Sequence, residues 1–173
     1  MIISVDEAKK IIQFGNWTDE RILKKLLAVE QTIRKYTNNN FQNRFIRGQF
    51  STDGMRLTGG VIGFRVGDTV QISESKFNNG LYTVEATYDD EIALDKDLTE
   101  EAKILVTKVE YPEDVIECAL NLLEWSVKHG DKVGVKSETL SRHSVTYEDS
   151  GTLFNGYPIG ILNGLKLYRK ARC

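Results

Sequence analysis

The sequence predicts an α+β protein in which a small bundle of four helices carries an inserted five- or six-stranded β-barrel or sandwich. Apolar residues recur at helical spacing before about Asn40 and again after Pro112. Between Phe41 and Tyr111 no helical stripe occurs, and clustered glycines separate short β-rich runs. We therefore expect a helical domain formed by residues 1–43 and 111–173, interrupted by an inserted β domain of residues 44–110.

The N-terminal segment predicts two helices. Ser4 and Glu7 have the spacing of a capping box, and the helix that they begin should end near Phe14. Gly15-Asn16 breaks this helix, and Thr18 is placed to cap a second one. The second helix carries an apolar stripe, broadened on one side, that is typical of a core or a subunit interface. Its residues are Ile22, Leu26, Val29, Ile33 and Tyr36, with Leu23 and Leu27 beside them.

The middle of the chain predicts strands separated by tight turns. The expected strands are Val61 to Val66, Thr69 to Ser73, Leu81 to Thr87, Glu91 to Leu94 and Ile104 to Glu110, with Phe45 to Phe50 as a further edge strand. Gly67-Asp68 and Asn78-Asn79-Gly80 supply turns between them. Leu98 to Ala102 is too short for more than one helical turn. Strands at this regular spacing indicate a small barrel or sandwich.

A third helix begins at Pro112, followed by two acids that suit the positive end of the helix dipole. Its predicted apolar positions are Val115, Ile116, Ala119, Leu120, Leu123 and Val127, and Gly130 is placed to end it. The run from Val135 to Tyr147 is polar and lacks a core of its own, although Ser144 to Tyr147 alternates like a strand edge. After a linker at residues 148–152, a last helix is expected from Tyr157-Pro158, basic toward its end.

Three segments near the C-terminus carry a resemblance to a known family. They are Trp125 to Gly130 at a helix end, Lys136 to Tyr147 with the pattern Ser-Glu-x-Leu-x-x-x-Ser-Val-x-Tyr, and the closing Leu165 to Arg169. Together they resemble the head–tail connector proteins of tailed bacteriophages, which are small helical adaptors, also called head-completion proteins, that extend the portal at the capsid vertex. The two N-terminal helices are similar to the leading part of that family.

The resemblance implies a structural protein of a phage or prophage, without enzymatic activity or a cofactor. It implies a ring, expected to be dodecameric, that assembles beneath the portal protein and joins capsid to tail. DNA would pass through the lumen without sequence-specific binding, and the far face would receive a stopper or tail-completion protein. The free chain is expected to be either monomeric or already a ring. The expected location is the head–tail interface of the virion, and the host cytoplasm during assembly.

The resemblance also implies docking residues. The residues proposed for subunit-interface or portal contacts are Ser137, Glu138, Leu140, Ser144, Tyr147, Leu165, Tyr168, Arg169 and Lys170. The last four would dock to the portal or to a neighbouring subunit. The segment from Ser137 to Tyr147 would lie at a subunit interface or project toward the lumen or the tail. The inserted barrel would decorate the outside of the ring or widen the contact between neighbours.

Composition and motifs argue against several other classes of protein. The net charge of −2 provides no overall basic field for nucleic acid, and no apolar run is long enough for a membrane span. Cys118 and Cys173 do not form a disulfide framework and are expected to be reduced. Gly59 to Gly63 lacks the spacing of a phosphate-binding loop, and the two histidines have no acidic residue at metal-ligand spacing.

Two other functions also fit the sequence. In one, the chain is an oligomeric nucleic-acid-binding module whose barrel stacks bases on Phe64, Phe77, Tyr82 and Tyr88. In the other, it is a small hydrolase that holds a metal ion with Asp89, Asp90 and Glu91. These three acids begin an acidic run that ends at Glu101, for which a solvated barrel rim is the simpler interpretation.

Overall fold

The computed structural model describes residues 1–60, 62–129, 137–140, 143–146 and 153–171, with side chains described outside 137–146. These residues form an α+β fold that contains four α-helices and a closed six-stranded antiparallel β-barrel. The chain folds into two compact units, one of Met1 with Asn40–Tyr111 and one of Ile2–Asn39 with Pro112–Cys173. The second unit is thus built from two segments that flank the first in sequence. Whether each unit is a domain with the predicted boundaries stays a prediction.

Six strands close the barrel, and every neighbouring pair is antiparallel. The strands are β1 Gln42–Asp53, β2 Arg56–Gly59, β3 Thr69–Ser73, β4 Gly80–Thr87, β5 Glu91–Leu94 and β6 Glu101–Val109. Their order around the barrel is β1-β2-β5-β4-β3-β6, and β6 pairs back to β1. Gln42 pairs with Val109, so the chain enters and leaves the barrel at adjacent strand ends.

The barrel encloses one apolar core. Alternate residues of the strands point inward, and these positions are occupied mainly by branched aliphatic side chains. Each such side chain that becomes fully buried contributes about 2 kcal/mol of hydrophobic stabilisation. The buried residues are Phe50, Leu57, Phe64, Val70, Ile72, Val84, Ile92, Leu94, Leu98, Ile104 and Val106.

Most of the predicted strands are confirmed. The predicted β3 and β5 have the observed bounds, and the predictions for β4 and β6 fall mainly within the observed strands. Phe45 to Phe50 is part of β1, but it pairs with β6 and, at Phe50, also with β2, so the prediction of an edge strand was wrong. The helical turn considered for Leu98 to Ala102 does not form, since β6 begins at Glu101.

The strand predicted at Val61 to Val66 was wrong, and β2 was missed. Residue 61 lies outside the described residues; residues 62–63 and 66–67 form turns, and Gly63 and Gly67 have φ of +89° and +88°. Phe64, between these turns, is buried in the barrel core. The segment is therefore a loop with one side chain, that of Phe64, buried in the barrel core, although its composition is typical of a strand. β2 has only one buried position, Leu57, which explains why the sequence pattern did not reveal it.

The second unit contains the helices. They are α1 Val5–Ile11, α2 Asp19–Thr37, α3 Glu113–His129 and α4 Ile159–Leu162, which continues into a 3₁₀ helix at Asn163–Tyr168. The capping box is confirmed: the Ser4 amide donates to Glu7 Oε2 at 3.0 Å, and the Glu7 amide donates to Ser4 Oγ at 3.2 Å. Thr18 Oγ1 caps α2 by accepting from the Arg21 amide.

The predicted apolar faces are largely buried. Ile22, Leu26, Val29 and Ile33 of α2 are fully buried, whereas Leu23 and Leu27, which broadened the stripe, are exposed. In α3 the buried side is rotated from the predicted one, because Cys118 and Leu122 belong to it while Ile116, Leu120 and Val127 are half-buried. The predicted helix stop at Gly130 and the linker at 148–152 lie outside the described residues.

The last predicted helix is shorter and less regular than expected. After α3, the sequence contains two short hairpins, β7 Ser137–Leu140 with β8 His143–Thr146, and β9 Leu153–Phe154 with β10 Tyr157–Pro158. Tyr157–Pro158 is thus a strand and not the start of a helix, and the turn before it has Gly156 at φ +80°. Only four residues of α4 are α-helical before the 3₁₀ helix begins. Gly160 and Gly164 explain this, since glycine weakens a helix by about 1 kcal/mol relative to alanine.

Candidate assembly surfaces

The C-terminal segment contains four of the predicted docking residues. Leu165 is buried and would support a docking surface from beneath without touching a partner. The Tyr168 hydroxyl donates to the Asp114 carboxylate at 2.8 Å, and this hydrogen bond raises the pKa of Tyr168. The Arg169 guanidinium lies 5.4 Å from the centre of the Tyr36 ring, and Lys170 is exposed. Arg169 and Lys170 are therefore placed where a partner can reach them.

Side chains at the end of α2 hold this C-terminal segment in place. Asn38 adopts a left-handed conformation with φ 49°, and its Nδ2 donates to the carbonyl of Ala171 at 2.8 Å. Asn39 Nδ2 donates to the Tyr168 carbonyl at 3.2 Å, and the Lys170 amide donates to the Thr37 carbonyl at 2.8 Å. Asparagine in a left-handed conformation can simply end a helix, as Asn38 does here. The bonds from Asn38 and Asn39 to the C-terminal segment join residues about 130 positions apart, so no local sequence pattern reveals this second role.

The other predicted docking residues lie in or beside a β-hairpin. Its strands are β7 Ser137–Leu140 and β8 His143–Thr146, paired antiparallel from Ser137↔Thr146 to Leu140↔His143. Ser137, Glu138 and Leu140 are on β7, Ser144 is on β8, and Tyr147 lies outside the described residues. The strand predicted from Ser144 is confirmed as far as Thr146. In the part of the chain that the structure describes, no third strand joins this hairpin.

Sequence reasoning missed a cationic cleft on the helical unit. The cleft has a volume of about 310 Å³ and is lined by Trp17, Arg21, Lys24, Lys25 and Ser126. The Arg21 guanidinium lies 4.1 Å from the Trp17 ring centre, and the Lys25 ammonium lies 5.1 Å from that of Tyr157. The i, i+3 and i+4 spacing of the three cations was visible in the sequence, but it also fits an ordinary solvated helix face.

At one end of the barrel, polar groups form a closed hydrogen-bonded network. Asn78 Nδ2 donates to the Thr99 carbonyl at 2.8 Å and to Glu101 Oε2 at 2.7 Å, while the Thr99 amide donates back to Asn78 Oδ1 at 2.8 Å. Glu101 also accepts from the Ser75 hydroxyl and the Lys76 amide. These bonds, chiefly the one from Ser75, lower the pKa of Glu101. The network joins the β3–β4 loop to the start of β6.

The acidic run is therefore only partly a solvated rim. Asp95 Oδ1 accepts from the Thr83 amide at 2.9 Å, and Glu91 pairs with Arg56 at 3.0 Å, whereas Asp97 and Glu100 are exposed. Among the described residues, no group of three or more histidine, cysteine, aspartate or glutamate side chains is arranged to hold a metal ion. The proposed metal site at residues 89–91 thus has no geometric support.

The aromatic residues proposed for base stacking differ in exposure. Phe64 is only 6% exposed and packs edge-to-face on Phe50 in the barrel core, so its assignment to base stacking was wrong. Tyr82 is half-buried, and its hydroxyl donates to the Asn78 carbonyl at 3.0 Å. Phe77 and Tyr88 are exposed. At most these two present a free ring face to a ligand.

The remaining candidate residues have structural explanations. Burial raises the pKa of the Cys118 thiol to about 11, which makes it a poor nucleophile, and Cys173 lies outside the described residues. His129 stacks on the Trp125 ring with a centroid distance of 5.2 Å. The side chain of His143 is not described. A Cβ at Gly59 would lie 2.6 Å from the Gln49 carbonyl oxygen, so close strand approach accounts for this glycine.

The chain matches no model of a known protein family and no curated protein. Among the described residues, no helix combines the length and the apolar character needed to cross a membrane.

Proposed function

We propose that this chain is the structural adaptor of a phage or prophage: it forms a ring beneath the portal, joins capsid to tail and continues the DNA channel. In this proposal it is a virion protein of the head–tail interface that assembles in the host cytoplasm and has no enzymatic activity. Its partners are the portal protein, further copies of itself, and a stopper or tail-completion protein. The helices of the second unit would act as the small bundle shared by such adaptors.

The observation that carries this proposal is the hairpin β7–β8. A two-stranded hairpin is marginally stable in water, and here both of its edges lack a partner strand among the described residues. An exposed strand edge is a surface on which another chain can add a strand. The hairpin also contains most of the sequence pattern that resembles the connector family. In an assembly protein, a neighbouring subunit can add a strand to this hairpin and so complete its sheet.

The C-terminal segment supports the proposal in a second way. It contains Arg169 and Lys170, which are held at the surface by the end of α2 and are exposed. Such a segment presents cations from a fixed position, which suits docking on an acidic partner surface. A net charge of −2 is also compatible with a channel through which DNA must slide, because strong phosphate binding would retain the DNA.

The direct test is to mix the full chain with the portal protein encoded by the same genome and to examine the mixture by electron microscopy. A ring-shaped co-complex is expected. A chain that lacks residues 160–173 should not bind, and the double variant Arg169→Ala/Lys170→Ala, which keeps Leu165 and the fold, should bind more weakly. Unaltered binding of both variants would contradict the assignment of this segment to docking. Lack of any complex with the full chain would contradict the adaptor function.

The second candidate is an oligomeric nucleic-acid-binding module. It is favoured by the exposed Phe77 and by Tyr88, whose ring has the Arg56 guanidinium at 5.8 Å, because exposed aromatics beside arginine are suited to stacking on bases. A gel shift with single-stranded DNA at increasing salt separates the two proposals. A nucleic-acid-binding module should bind at low salt and lose affinity steeply as salt rises, whereas the adaptor should show no such binding.

A further inference from the structure

Phe45 is the most exposed large apolar side chain of the barrel, at 99%. Its exposure has a definite structural cause. On β1, residues 44–46 intervene between Asn43, which pairs with Lys108, and Arg47, which pairs with Thr107, while β6 has no residue between these two partners. The Phe45 amide donates to Asn43 Oδ1 at 3.0 Å within this bulge. A bulge redirects side chains, and this one directs Phe45 into solvent.

A second exposed apolar side chain, that of Ile62, lies on the loop between β2 and β3, next to the bulge. Ile46 packs against the loop between β2 and β3, where a Cβ on Gly63 would lie 3.2 Å from Ile46 Cγ2. The residue before Gly63 is Ile62, which is 92% exposed. We call Arg44, Phe45, Arg47 and Ile62 the Phe45 knob. A phenylalanine removes roughly 150–250 Å² of surface from water when it packs into a partner, so burial of Phe45 would contribute strongly to binding.

Arginines flank the apolar side chains of the knob. Arg44 and Arg47 are both exposed, and among the described residues neither has a carboxylate within 4.0 Å. Exposed aromatic and arginine side chains together are the composition of protein-interface hot spots. The matching surface on a partner would be an exposed apolar group surrounded by carboxylates.

The same chain carries such a surface at the other end of its barrel. Because neighbouring strands are antiparallel, the loops at residues 54–55, 74–79 and 95–100 lie at the end opposite to the knob, which is at the start of β1. We call these loops and Asp53 the acidic end. It exposes Phe77, at 67%, and part of Met55. Its four exposed carboxylates outnumber its two exposed lysines, Lys76 and Lys96; they are those of Asp53, Glu74, Asp97 and Glu100.

We infer that the Phe45 knob of one copy docks on the acidic end of a second copy. The inference rests on the proposed function, since it names one contact by which subunits of the ring would meet. The two surfaces differ, so the contact is heterologous, and its repetition closes a ring when the rotation between copies permits. The arginines would face carboxylates of the neighbour, and Phe45 would pack beside Phe77 and Met55.

The test places a photocrosslinking phenylalanine analogue, p-benzoylphenylalanine, at position 45 of the full chain. Irradiation in concentrated solution and after addition of the portal should give covalent dimers whose second attachment site lies in residues 53–55, 74–79 or 95–100. The matched control carries the analogue at the exposed Ile11 of α1 and should not label these residues. The inference would be overturned by attachment elsewhere on the second copy. It would also be overturned by attachment only to nucleic acid or to the portal, or by a dimer yield no higher than that of the control.

Charge reversal tests the same contact without a crosslinker at the interface. Arg44→Glu/Arg47→Glu should weaken self-association at least about tenfold, and so should Asp97→Arg/Glu100→Arg. A chain that carries all four substitutions should recover much of the lost association, because each charge again meets its opposite. The five substituted or labelled positions, 44, 45, 47, 97 and 100, are all exposed, so circular dichroism and melting temperature should stay unchanged. Failure of the fourfold variant to recover would overturn the pairing of these two surfaces.

The outcomes also separate this inference from the proposed function. A ring on the portal in which position 45 attaches elsewhere would refute the contact and leave the adaptor function intact. Attachment to the acidic end in a protein that does not bind the portal would support the contact and refute the adaptor function.

Discussion

The two ends of the barrel differ in whether their side chains bond within the subunit or extend into solvent. At the acidic end, Asn78, Thr99 and Glu101 bond to one another and to the β3–β4 loop, so the polar groups of this network are satisfied within the subunit, while Asp97 and Glu100 beside it stay exposed. At the other end, a bulge holds Phe45 in solvent beside two arginines without a carboxylate partner among the described residues. The first arrangement stabilises the fold. The second contributes little to the fold and is instead available for a partner.

Phe64 should have the largest effect on stability, because its ring extends from the loop at the knob end into the barrel core and is buried there. Phe64→Ala removes a buried ring that packs on Phe50, and a large-to-small change of this kind costs about 4 kcal/mol. Urea unfolding measures this loss. The control Phe77→Ala removes an exposed ring and should change the free energy of unfolding by less than about 0.5 kcal/mol. Equal losses in the two variants would contradict the placement of Phe64 in the core.

Asn78→Ala should have the next largest effect. The substitution removes a buried amide side chain that bonds to the part-buried backbone of Thr99 and to Glu101, at a cost of about 3 kcal/mol in the free energy of unfolding. Asn79→Ala is the matched control, since the exposed Asn79 amide bonds only to the Ser75 backbone among the described contacts and should cost about 1 kcal/mol. If Asn78→Ala were as mild as its control, the network would not be the main support of the acidic end.

The pH dependence of stability should reflect Glu101. Its pKa in the folded protein is lowered below the ordinary value of 4.5, so the unfolded chain binds a proton more readily than the folded chain. Its stabilisation is therefore fully present above about pH 4.5 and is lost as the pH falls through the lower folded value. In Glu101→Gln the melting temperature should fall less steeply with acid than in the wild type. Parallel acid profiles would show that Glu101 does not hold the network.

Phe45→Ala should have the smallest effect on stability. The ring is almost fully exposed, so its removal should change the free energy of unfolding by no more than about 0.5 kcal/mol. A loss above about 1 kcal/mol in urea unfolding would show that the knob supports the fold of its own subunit. It would thereby weaken the contrast between the two ends.

The sequence predicted the α+β class, the caps of α1 and α2, and most barrel strands, because these depend on local spacing. It failed where the position of a side chain depends on residues that are distant in the sequence. Phe64 was assigned to a strand, because its burial from a loop depends on the closed barrel and leaves no local pattern. The bulge at residues 44–46 depends on the register of β1 against β6 and leaves no local pattern. For the same reason the amides of Asn38 and Asn39 gave no sign that they bind the C-terminal segment.

In the proposed function, the chain is a ring-forming adaptor at the head–tail junction. The decisive measurement is cryo-electron microscopy of mature particles produced by the genome that encodes it, compared with particles made after deletion of its gene. We expect a ring of copies of this chain between portal and tail, and filled heads without tails when the gene is deleted. Normal tailed particles from the deletion, with no loss of density at the junction, would contradict it.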